Sequence, residues 1–243
     1  MSERIAAFFD LDGTLIPEPS LEHRFFSSLR RSGAIPYTNY LRWFVQALAL
    51  LPEGFQALQH ANKCYLAGLN ADLALEHLDS LTFFDEGVER VAWHVRESHS
   101  IVLVTGTLQP LAELAASALE CELESRGLAV RVHMLATRLE ESRGCWTGRL
   151  EGEALYGAAK ARAMTTLARG EGWDLPRCHA YGNSQLDRDF LCAAGRGHAV
   201  NPGRALAAIA NEQDWPIWHW FQEKKIAAHA NCSSEIHSIE GQA

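Results

Sequence analysis

The stretch Phe8-Phe9-Asp10-Leu11-Asp12-Gly13-Thr14-Leu15 places two aspartates directly after an apolar run. That run, residues 5–9, predicts a buried strand, and Gly13 permits a sharp exit from it. Open α/β sheets hold their ligands at the carboxyl ends of strands, which is where Asp10 and Asp12 lie. The two carboxylates can bind a hard cation, divide nucleophile and acid/base roles between them, or do both. For an isolated motif, a plain Asp-Gly turn is the alternative.

The composition is that of an ordinary globular protein, with 47% hydrophobic and 21% charged residues. A chain of 243 residues can bury a large core and form one domain, or one domain with a small insert. The net charge of −8 argues against a nucleic-acid partner, because phosphate backbones attract basic surfaces. It remains compatible with a small phosphorylated molecule that is held by a metal and one lysine.

The cysteines and the apolar stretches predict a cytoplasmic protein. Six cysteines are scattered without a Cys-x-x-Cys pair, and a chain of this size does not need disulfides, so we expect reduced thiols. No secretory signal is evident. The longest apolar stretch, residues 40–51, contains Arg42 and Gln46 and is too short to span a bilayer, so stable membrane insertion is not expected. We interpret it as a buried helix.

Helical patterns fill the chain between the first motif and about residue 85. They cover residues 21–31, 37–51, 55–67 and 72–81, and Gly, Asn or Pro precedes each. No strand pattern interrupts them. The block therefore predicts a helical cap over residues 17–85, beside a core formed by residues 1–16 and 86–222. A polar tail, residues 223–243, is expected to be loosely held.

Strands and helices alternate after residue 85. The predicted strands are 101–104, 130–139, 146–150, 178–181 and 198–200. Helices are predicted over 85–97, 108–126, 154–169, 186–193 and 202–210. The strands 130–139 and 146–150 are expected to pair as a hairpin around a Gly-containing turn. The alternation predicts an α/β fold whose sheet is mainly parallel, with helices on both faces.

Three later segments place polar groups where a phosphate or a cation can bind. Thr105-Gly106-Thr107 ends the second strand and offers a hydroxyl and backbone N–H groups to an anion, or Thr105 caps the next helix. Lys160, at the front of an Ala-rich helix, is either a solvated lysine or a fixed ammonium for a phosphoryl oxygen. Asn183 and Asp187 face a cation, or Asp187 favours the first turn of the following helix.

Taken in order, these motifs resemble the haloacid dehalogenase (HAD) superfamily. They are Asp10-Leu11-Asp12-Gly13-Thr14, a strand ending at Thr105, then Lys160, then Gly182-Asn183-Ser184-Gln185-Leu186-Asp187. The match spans nearly the whole chain, and the helical insert takes the place of a C1-type cap. Together with residues 104–107, 148–152 and 199–202, it most resembles the phosphoserine-phosphatase-like subfamily IB. The resemblance implies a Rossmann-like core and a helical C1 cap.

The resemblance also implies an activity, that of a Mg²⁺-dependent phosphomonoesterase acting on a small phosphorylated metabolite. Asp10 would attack phosphorus and form an aspartyl-phosphate, and Asp12 would act as general acid and then as general base. The groups that bind the phosphoryl oxygens would be Asp10, Thr14, Thr105, Gly106 and Lys160. The groups that hold Mg²⁺ would be Asp10, the backbone carbonyl of Asp12, Asn183 and Asp187.

One position departs from the family pattern. The fourth motif of the family usually begins Gly-Asp, and that aspartate is a metal ligand, whereas this chain has Asn183. An amide oxygen can bind Mg²⁺ but brings no charge, so weaker metal affinity is expected. Two alternatives to the phosphatase stay open. One is a phosphotransferase that passes the phosphoryl group to another alcohol, and the other is a binding or regulatory protein in which catalysis has decayed.

The cap is expected to select the substrate. Glu18 is the first acid after the catalytic loop and a candidate partner for a cationic group. Arginines of the cap are candidates for a carboxylate or a second phosphate, with a solvated helix face as the alternative for each: Arg24, Arg30, Arg31 and Arg42. The aromatic residues of the first two helices make the cap apolar and leave room for a hydrophobic leaving group.

The remaining histidines and tryptophans predict no separate chemistry. The histidines at 94, 99, 179, 198 and 219 show no metal-ligand spacing, and Trp215, Trp218 and Trp220 are expected to cover the sheet. The sequence makes no prediction of the oligomeric state.

Overall fold

A parallel sheet with helices on both faces forms the centre of the protein. The computed structural model describes residues 4–54, 60–71, 75 and 81–221. The strands in this part are β1 (Ala6–Phe9), β2 (Ser100–Leu108), β3 (Val132–Thr137), β4 (Leu139–Ser142), β5 (Cys145–Leu150), β6 (His179–Gly182), β7 (Arg196–Val200) and β8 (Ile217–Trp218). The α-helices are α1 (Leu21–Ser32), α2 (Tyr37–Leu50), α3 (Asp85–Arg96), α4 (Gln109–Ser125), α5 (Ala158–Glu171), α6 (Arg188–Ala193) and α7 (Arg204–Glu212).

The order of the strands locates the crevice in which a ligand can bind. Six strands pair in the order β3-β2-β1-β6-β7-β8, and every pairing is parallel. The chain fills one side of β1 with β2 and β3, then crosses over to fill the other side with β6, β7 and β8. The direction of filling therefore reverses at β1, and open α/β sheets bind ligands at such a switch point. This confirms the predicted α/β class.

Alternate residues of the strands supply two hydrophobic cores. Phe9 and Leu103 face α3 and α4 on one side of the sheet, whereas Phe8 and Val102 face α5, α6 and α7 on the other. All four residues of β1 are fully buried. A strand buried on both faces reads as a continuous apolar run, which is why residues 5–9 show no alternation.

The described part of the insert between β1 and α3 is helical. Helix α1 buries Leu21, Phe25 and Leu29 on one face, and the Ser20 side chain caps its first turn. The predicted helix over 55–67 is wrong at its end, where Cys64–Leu66 form a 3-10 turn. Gly68 donates to the Trp146 carbonyl (2.7 Å) and Leu69 accepts from the Trp146 N–H (3.0 Å), so strand-like bonds to β5 replace helical ones. Residues 55–59, 72–74 and 76–80 lie outside the described part.

Helix α2 is not the buried helix that its composition predicts. Its exposed face carries large apolar side chains, including Tyr37 (92% exposed) and Leu41 (66% exposed), while Asn39 and Leu50 are buried. Asn39 donates to the carbonyls of Tyr65 (3.2 Å) and Ala67 (2.7 Å) and so attaches α2 to the 3-10 turn. The hydrogen bonds of Asn39 therefore determine which face of α2 is buried.

The predicted hairpin is displaced along the chain. Residues 132–137 pair with β2 in the main sheet, and the hairpin is formed by β4 and β5. No glycine or proline separates β3 from β4, so the sequence pattern runs through Arg138 without a break. Arg143 and Gly144, both with positive φ, make the hairpin turn.

Of the tryptophans that were predicted to cover the sheet, Trp215 does so, whereas Trp218 lies in the edge strand β8 itself. Trp215 packs so closely on Gly197 of β7 that a Cβ there would lie 2.7 Å from its ring. The five cysteines of the described part form no disulfide bond with one another; Cys232 and the predicted tail, residues 223–243, lie outside it. No helix among the described residues is long and apolar enough to cross a membrane.

Candidate active site

Four segments bring polar side chains together at the carboxyl ends of β1, β2 and β6. Asp10 follows β1, and its N–H donates to the Tyr181 carbonyl of β6 (2.9 Å), which fixes the start of the loop. Thr105–Thr107 close β2, where the pairing with β3 shifts register. Helix α5 delivers Lys160 in its first turn. Residues up to 177 positions apart in the chain, from Asp10 to Asp187, thus share one site.

A buried lysine joins two carboxylates at the centre of this site. The Lys160 ammonium lies 2.6 Å from Asp10 Oδ1 and 2.7 Å from Asp187 Oδ1. All three residues are buried, so Lys160 is not a solvated lysine. Burial alone lowers the pKa of Lys160, but the two carboxylates outweigh it and raise the pKa above its ordinary value. The ammonium is therefore a fixed positive charge at any physiological pH.

The loop after β6 holds Asp187 from the other side. Its Oδ2 accepts from the Ser184 N–H (3.0 Å), the Ser184 hydroxyl (2.9 Å) and the Asn183 N–H (3.3 Å). Asp187 therefore caps the following turn, as one of its two interpretations predicts, and its other oxygen pairs with Lys160. A Cβ at Gly182 would lie 2.8 Å from the Asp187 Cβ, so only glycine lets the carboxylate fold back onto its own loop.

Asp12 is held separately from the Asp10–Lys160 pair. Its Oδ1 accepts from the N–H of Leu21 (2.7 Å), the first residue of α1, and its Oδ2 accepts from the Thr107 hydroxyl. Burial raises the pKa of Asp12 above its ordinary value, although these two bonds act in the opposite direction. The sequence analysis did not assign a role to Thr107. The sequence feature that could have indicated such a role is a second hydroxyl, two residues after Thr105 in the same motif.

The hydroxyls and the glycine predicted to bind phosphate lie around Asp10 and at the end of β2. Thr14 is fully buried and donates to Asp10 Oδ2 (3.0 Å). Thr105 Oγ1 accepts from the Thr107 N–H (3.1 Å), and α4 begins after Leu108, so Thr105 does not cap that helix. A Cβ at Gly106 would lie 3.1 Å from the Leu155 carbonyl, which leaves little room for a side chain at this position.

The charges of the site favour a divalent cation. Among the described residues that form it, two buried carboxylates (Asp10 and Asp187) contact one buried ammonium, and the half-buried carboxylate of Asp12 lies in the same site. The pKa of Asp10 is raised to about 7, because desolvation by burial and the charge of Asp187 together outweigh the lowering by Lys160. A bound cation would relieve this excess of negative charge, and carboxylate and amide oxygens are ligands that Mg²⁺ accepts. The donor set therefore fits Mg²⁺.

Asn183 reaches this group from the loop after β6. Its side chain packs against the backbone of Gly13, where a Cβ would overlap the Asn183 amide. Gly13 also has a positive φ of 77°, a conformation that glycine adopts without strain. Gly13 is thus required both for the conformation of the turn after Asp12 and for the packing of the Asn183 side chain.

The two predicted substrate residues lie at the entrance loop. Glu18 is exposed, and its Oε1 lies 3.4 Å from the position of a Cβ on Gly13. Arg24 donates from Nε to the Pro19 carbonyl (2.7 Å) and from Nη2 to the Pro17 carbonyl, so its guanidinium holds the loop itself. Arg30, Arg31 and Arg42 are exposed.

The insert contributes polar residues that the sequence analysis did not single out. Lys63 is buried and pairs with Glu22 Oε1, which also accepts from the Tyr65 hydroxyl (3.1 Å). The charge of Glu22 helps to raise the pKa of Asp12, after burial itself. His60 stacks on Tyr156 and lies beside Gly106. Glu22 and Lys63 lie 41 positions apart in the chain. No local sequence pattern therefore predicts that they pair.

Comparison with protein families gives a match over most of the chain. Residues 7–191 match the model of the haloacid dehalogenase-like hydrolases. The curated relatives include the inhibition of morphological differentiation protein of Streptomyces azureus, with 33% identity over 88% of this chain and 78% of that protein. Phosphoserine phosphatase SerB1 of Mycobacterium tuberculosis is 33% identical over 91% of this chain and 73% of that protein.

Solved structures share the fold. A protein of unknown function from Bordetella pertussis superposes with a TM-score of 0.66 at 24% identity, covering 90% of this chain and all of that one. A phospho-aspartyl intermediate analogue of phosphoserine phosphatase superposes with a TM-score of 0.59 at 18% identity, over 91% of this chain and 96% of that one.

Proposed function

The chain belongs to the haloacid dehalogenase-like hydrolase family, and from this premise we propose that it is a Mg²⁺-dependent phosphomonoesterase that works through an aspartyl-phosphate on Asp10. The observation that carries the proposal is the contact of Lys160 with both Asp10 and Asp187 in a buried site, while Asp12 is held apart from them. One carboxylate is thereby set up as a nucleophile, and the other remains available for proton transfer.

Asp10 performs the first chemical step. A carboxylate oxygen attacks phosphorus in line, the bond to the leaving alkoxide breaks, and the phosphoryl group is then attached to Asp10. Lys160 offsets the repulsion between the Asp10 carboxylate and the anionic substrate and stabilises the charge on the equatorial oxygens. Thr14, Thr105 and the backbone of Gly106 orient the same oxygens.

Asp12 moves the protons. Its raised pKa favours the protonated form that donates to the leaving alkoxide. In the second step the Asp12 carboxylate accepts a proton from the attacking water, the bond between Asp10 and phosphorus breaks, and inorganic phosphate leaves. The Leu21 N–H and the Thr107 hydroxyl hold the carboxyl in one orientation for both transfers.

Mg²⁺ would be held by Asp10, the Asp12 carbonyl, Asn183 and Asp187, and when bound it neutralises charge on the phosphoryl group. Asn183 also favours a second candidate function, a phosphate-binding protein with little or no turnover, because an amide contributes no charge to the metal site. The intact Asp10, Asp12 and Lys160 set favours the phosphatase over this candidate.

We propose that the insert, residues 17–85, acts as a cap that selects a small phosphorylated metabolite. Glu22 lies close enough to raise the pKa of Asp12 and pairs with Lys63, and a carboxylate next to an ammonium complements a substrate that carries both an ammonium and a carboxylate group. Phosphoserine has these groups, and a relative bears the name phosphoserine phosphatase. The scattered cysteines, in a chain of a size that does not need disulfides, support a reducing, cytoplasmic setting.

The test is phosphate release from an aryl phosphate and from a panel of phosphometabolites, in protein stripped with EDTA and titrated with Mg²⁺. We expect Mg²⁺-dependent turnover, and Asp10→Asn is expected to lower kcat by about 10⁴-fold or more, because it removes the nucleophile. Asp189→Asn, an exposed position on α6, is the matched control and should retain activity.

Each other outcome identifies a different function. Turnover that survives in Asp10→Asn rejects the aspartyl-phosphate mechanism. Phosphate binding without turnover at saturating Mg²⁺ indicates the binding protein. A phosphorylated product that forms only when an alcohol acceptor is added indicates a phosphotransferase.

A further inference from the structure

A cluster of histidines lies at the opposite end of the sheet from the candidate active site. His179 begins β6 and His99 directly precedes β2, so both lie where strands start. His94 is in the last turn of α3, and His198 is in β7. Four residues along a strand separate His179 from Asn183, which corresponds to roughly 13 Å. The cluster is therefore separate from the oxygen ligands proposed for Mg²⁺.

Three of these side chains point at one place. Each of His94, His99 and His179 offers a ring nitrogen, and the three atoms all lie within 4.8 Å of one another. The closest pair is His94 Nδ1 and His99 Nδ1, at 2.8 Å. Nitrogens bound to one tetrahedral metal ion lie about 3.3 Å apart, which follows from a metal–nitrogen bond of about 2.0 Å. Small rotations of the three rings would meet this requirement.

The other nitrogens of two rings already have partners. His94 Nε2 lies 2.9 Å from the Tyr181 hydroxyl, and His179 Nδ1 lies 3.0 Å from His198 Nε2. Such contacts orient metal-bound imidazoles and fix which nitrogen carries the proton. They leave His94 Nδ1 and His179 Nε2 to face the centre of the cluster. Tyr181 and His198 stack on each other, with centroids 4.3 Å apart, which makes these partners rigid.

The cluster is neutral and accessible on one side. Burial lowers the pKa of His94 to about 2 and that of His179 to about 4, so both rings are in the neutral form that binds metals at pH 7. His94 and His179 are buried, whereas His99 is half-buried and provides the approach from solvent.

Two arginines, Arg90 and Arg196, border the cluster with their positive charges. Arg196 is exposed, and its Nη1 lies 3.3 Å from His179 Nε2, the nitrogen that a metal would use. Arg90 is packed between the rings of Trp93 (5.3 Å) and Trp218 (4.3 Å). A metal ion would displace the contact of Arg196, whose long side chain can turn into solvent. Arg196 therefore opposes metal binding.

We propose that His94, His99 and His179 form a second metal site, which takes a borderline transition-metal ion such as Zn²⁺ or Co²⁺. Three imidazoles suit these ions, whereas Mg²⁺ prefers oxygen ligands. The bound ion would join the end of α3 to the starts of β2 and β6. The site requires no residue of the proposed phosphatase machinery.

The test uses the full chain, stripped with EDTA and then kept in excess Mg²⁺ so that the oxygen site is occupied. Co²⁺ is titrated while its visible absorption is followed, and Zn²⁺ is then added as a competitor. We expect one Co²⁺ per chain with the spectrum of a nitrogen-ligated ion, displaced by Zn²⁺, together with a higher melting temperature. His99→Asn should weaken Co²⁺ binding by about 10-fold or more. His133→Asn, another half-buried histidine, is the matched control and should bind as the original chain does.

Arg196→Gln provides a test with the opposite sign and leaves all three proposed ligands in place. It removes the competing donor and the nearby charge, so Co²⁺ should bind about 3- to 10-fold more tightly. This variant also tests whether the histidines bind metal if His99→Asn does not fold. Absence of Co²⁺ binding, equal binding by His99→Asn and the original chain, or unchanged or weaker binding by Arg196→Gln would each overturn the proposal.

Discussion

Asn183 is the residue whose proposed role as a metal ligand can be tested by a change of charge alone. Its backbone N–H donates to Asp187 Oδ2, and its side chain packs on Gly13. Aspartate has nearly the same shape as asparagine, so an exchange changes the charge of the site with little change of packing. The site would then contain four carboxylates around Lys160.

We predict that Asn183→Asp tightens Mg²⁺ binding by about 10-fold, since a charged oxygen ligand replaces a neutral one. Isothermal titration with Mg²⁺ measures this directly. Asn211→Asp, on the exposed side of α7, adds the same charge away from the site and controls for the net charge of the protein. Equal affinities of Asn183→Asp and the original chain would contradict a metal-ligand role for residue 183.

Residue types could be predicted where chemistry is local in the sequence. Asp10, Asp12 and Lys160 come from short motifs, and the structure brings Asp10 and Lys160 into contact. Thr107 and Glu22 could not be predicted as partners of Asp12 and Lys63, because their contacts depend on how the insert packs on the core. The proximity of the four histidines could not be predicted for the same reason, since they come from separate segments of the chain.

At the scale of elements, the 3-10 turn formed by Cys64–Leu66 connects the insert to the site. Lys63 lies just before this turn, and its ammonium reaches Glu22 on α1. Only 2% of the Lys63 side chain is exposed. Removing one partner of a buried ion pair leaves the other charge without compensation, which is far more unfavourable than the loss of a surface pair.

We predict that Lys63→Met lowers the free energy of unfolding by about 3 kcal/mol. Arg162→Met, which breaks the pair of Arg162 with Glu153, is the matched control. In that pair both side chains are more than half exposed, and its loss should be below about 1 kcal/mol. Urea unfolding of both variants measures the difference, and equal losses would show that the Glu22–Lys63 pair is not buried in solution.

Helices and strands could be predicted where the hydrophobic pattern of the sequence determines them. They could not be predicted where hydrogen bonds between distant segments determine them. The apolar runs of β1 and β2 and the amphipathic pattern of α1 identify those elements directly. The exposed face of α2 could not be predicted, because Asn39 turns the helix by bonds to the carbonyls of a distant turn. The boundary between β3 and β4 was missed because Arg138 gives no turn signal.

For the whole molecule, the concentration of charge at the site couples folding to pH. The pKa of Asp10 is about 7 in the folded protein, against an ordinary value of 3.8. As pH rises from about 4 to about 7, the unfolded chain releases this proton while the folded chain retains it. The metal-free protein therefore loses stability through this window, and the loss is complete above it.

We predict that in EDTA Asp10→Asn is more stable than the original chain by at least about 1 kcal/mol at pH 8, and that the difference vanishes near pH 4. Asparagine has no proton to lose, so the variant lacks the penalty. Saturating Mg²⁺ should reduce the difference at pH 8, because the cation binds the original chain more tightly. Thermal or urea unfolding across this range measures it, and a difference independent of pH would contradict the raised pKa.

The bond from the Leu21 N–H to Asp12 has a consequence for protein engineering. An insert exchanged between relatives, as a means of changing the substrate, would also exchange the N–H donor that orients Asp12, the carboxyl that we propose for proton transfer. A functional chimera would therefore keep the first turn of α1 with the recipient and place its junction beyond that turn. The Leu21 peptide group belongs to the insert and also orients Asp12. The substrate preference and the proposed proton transfer therefore cannot be redesigned independently.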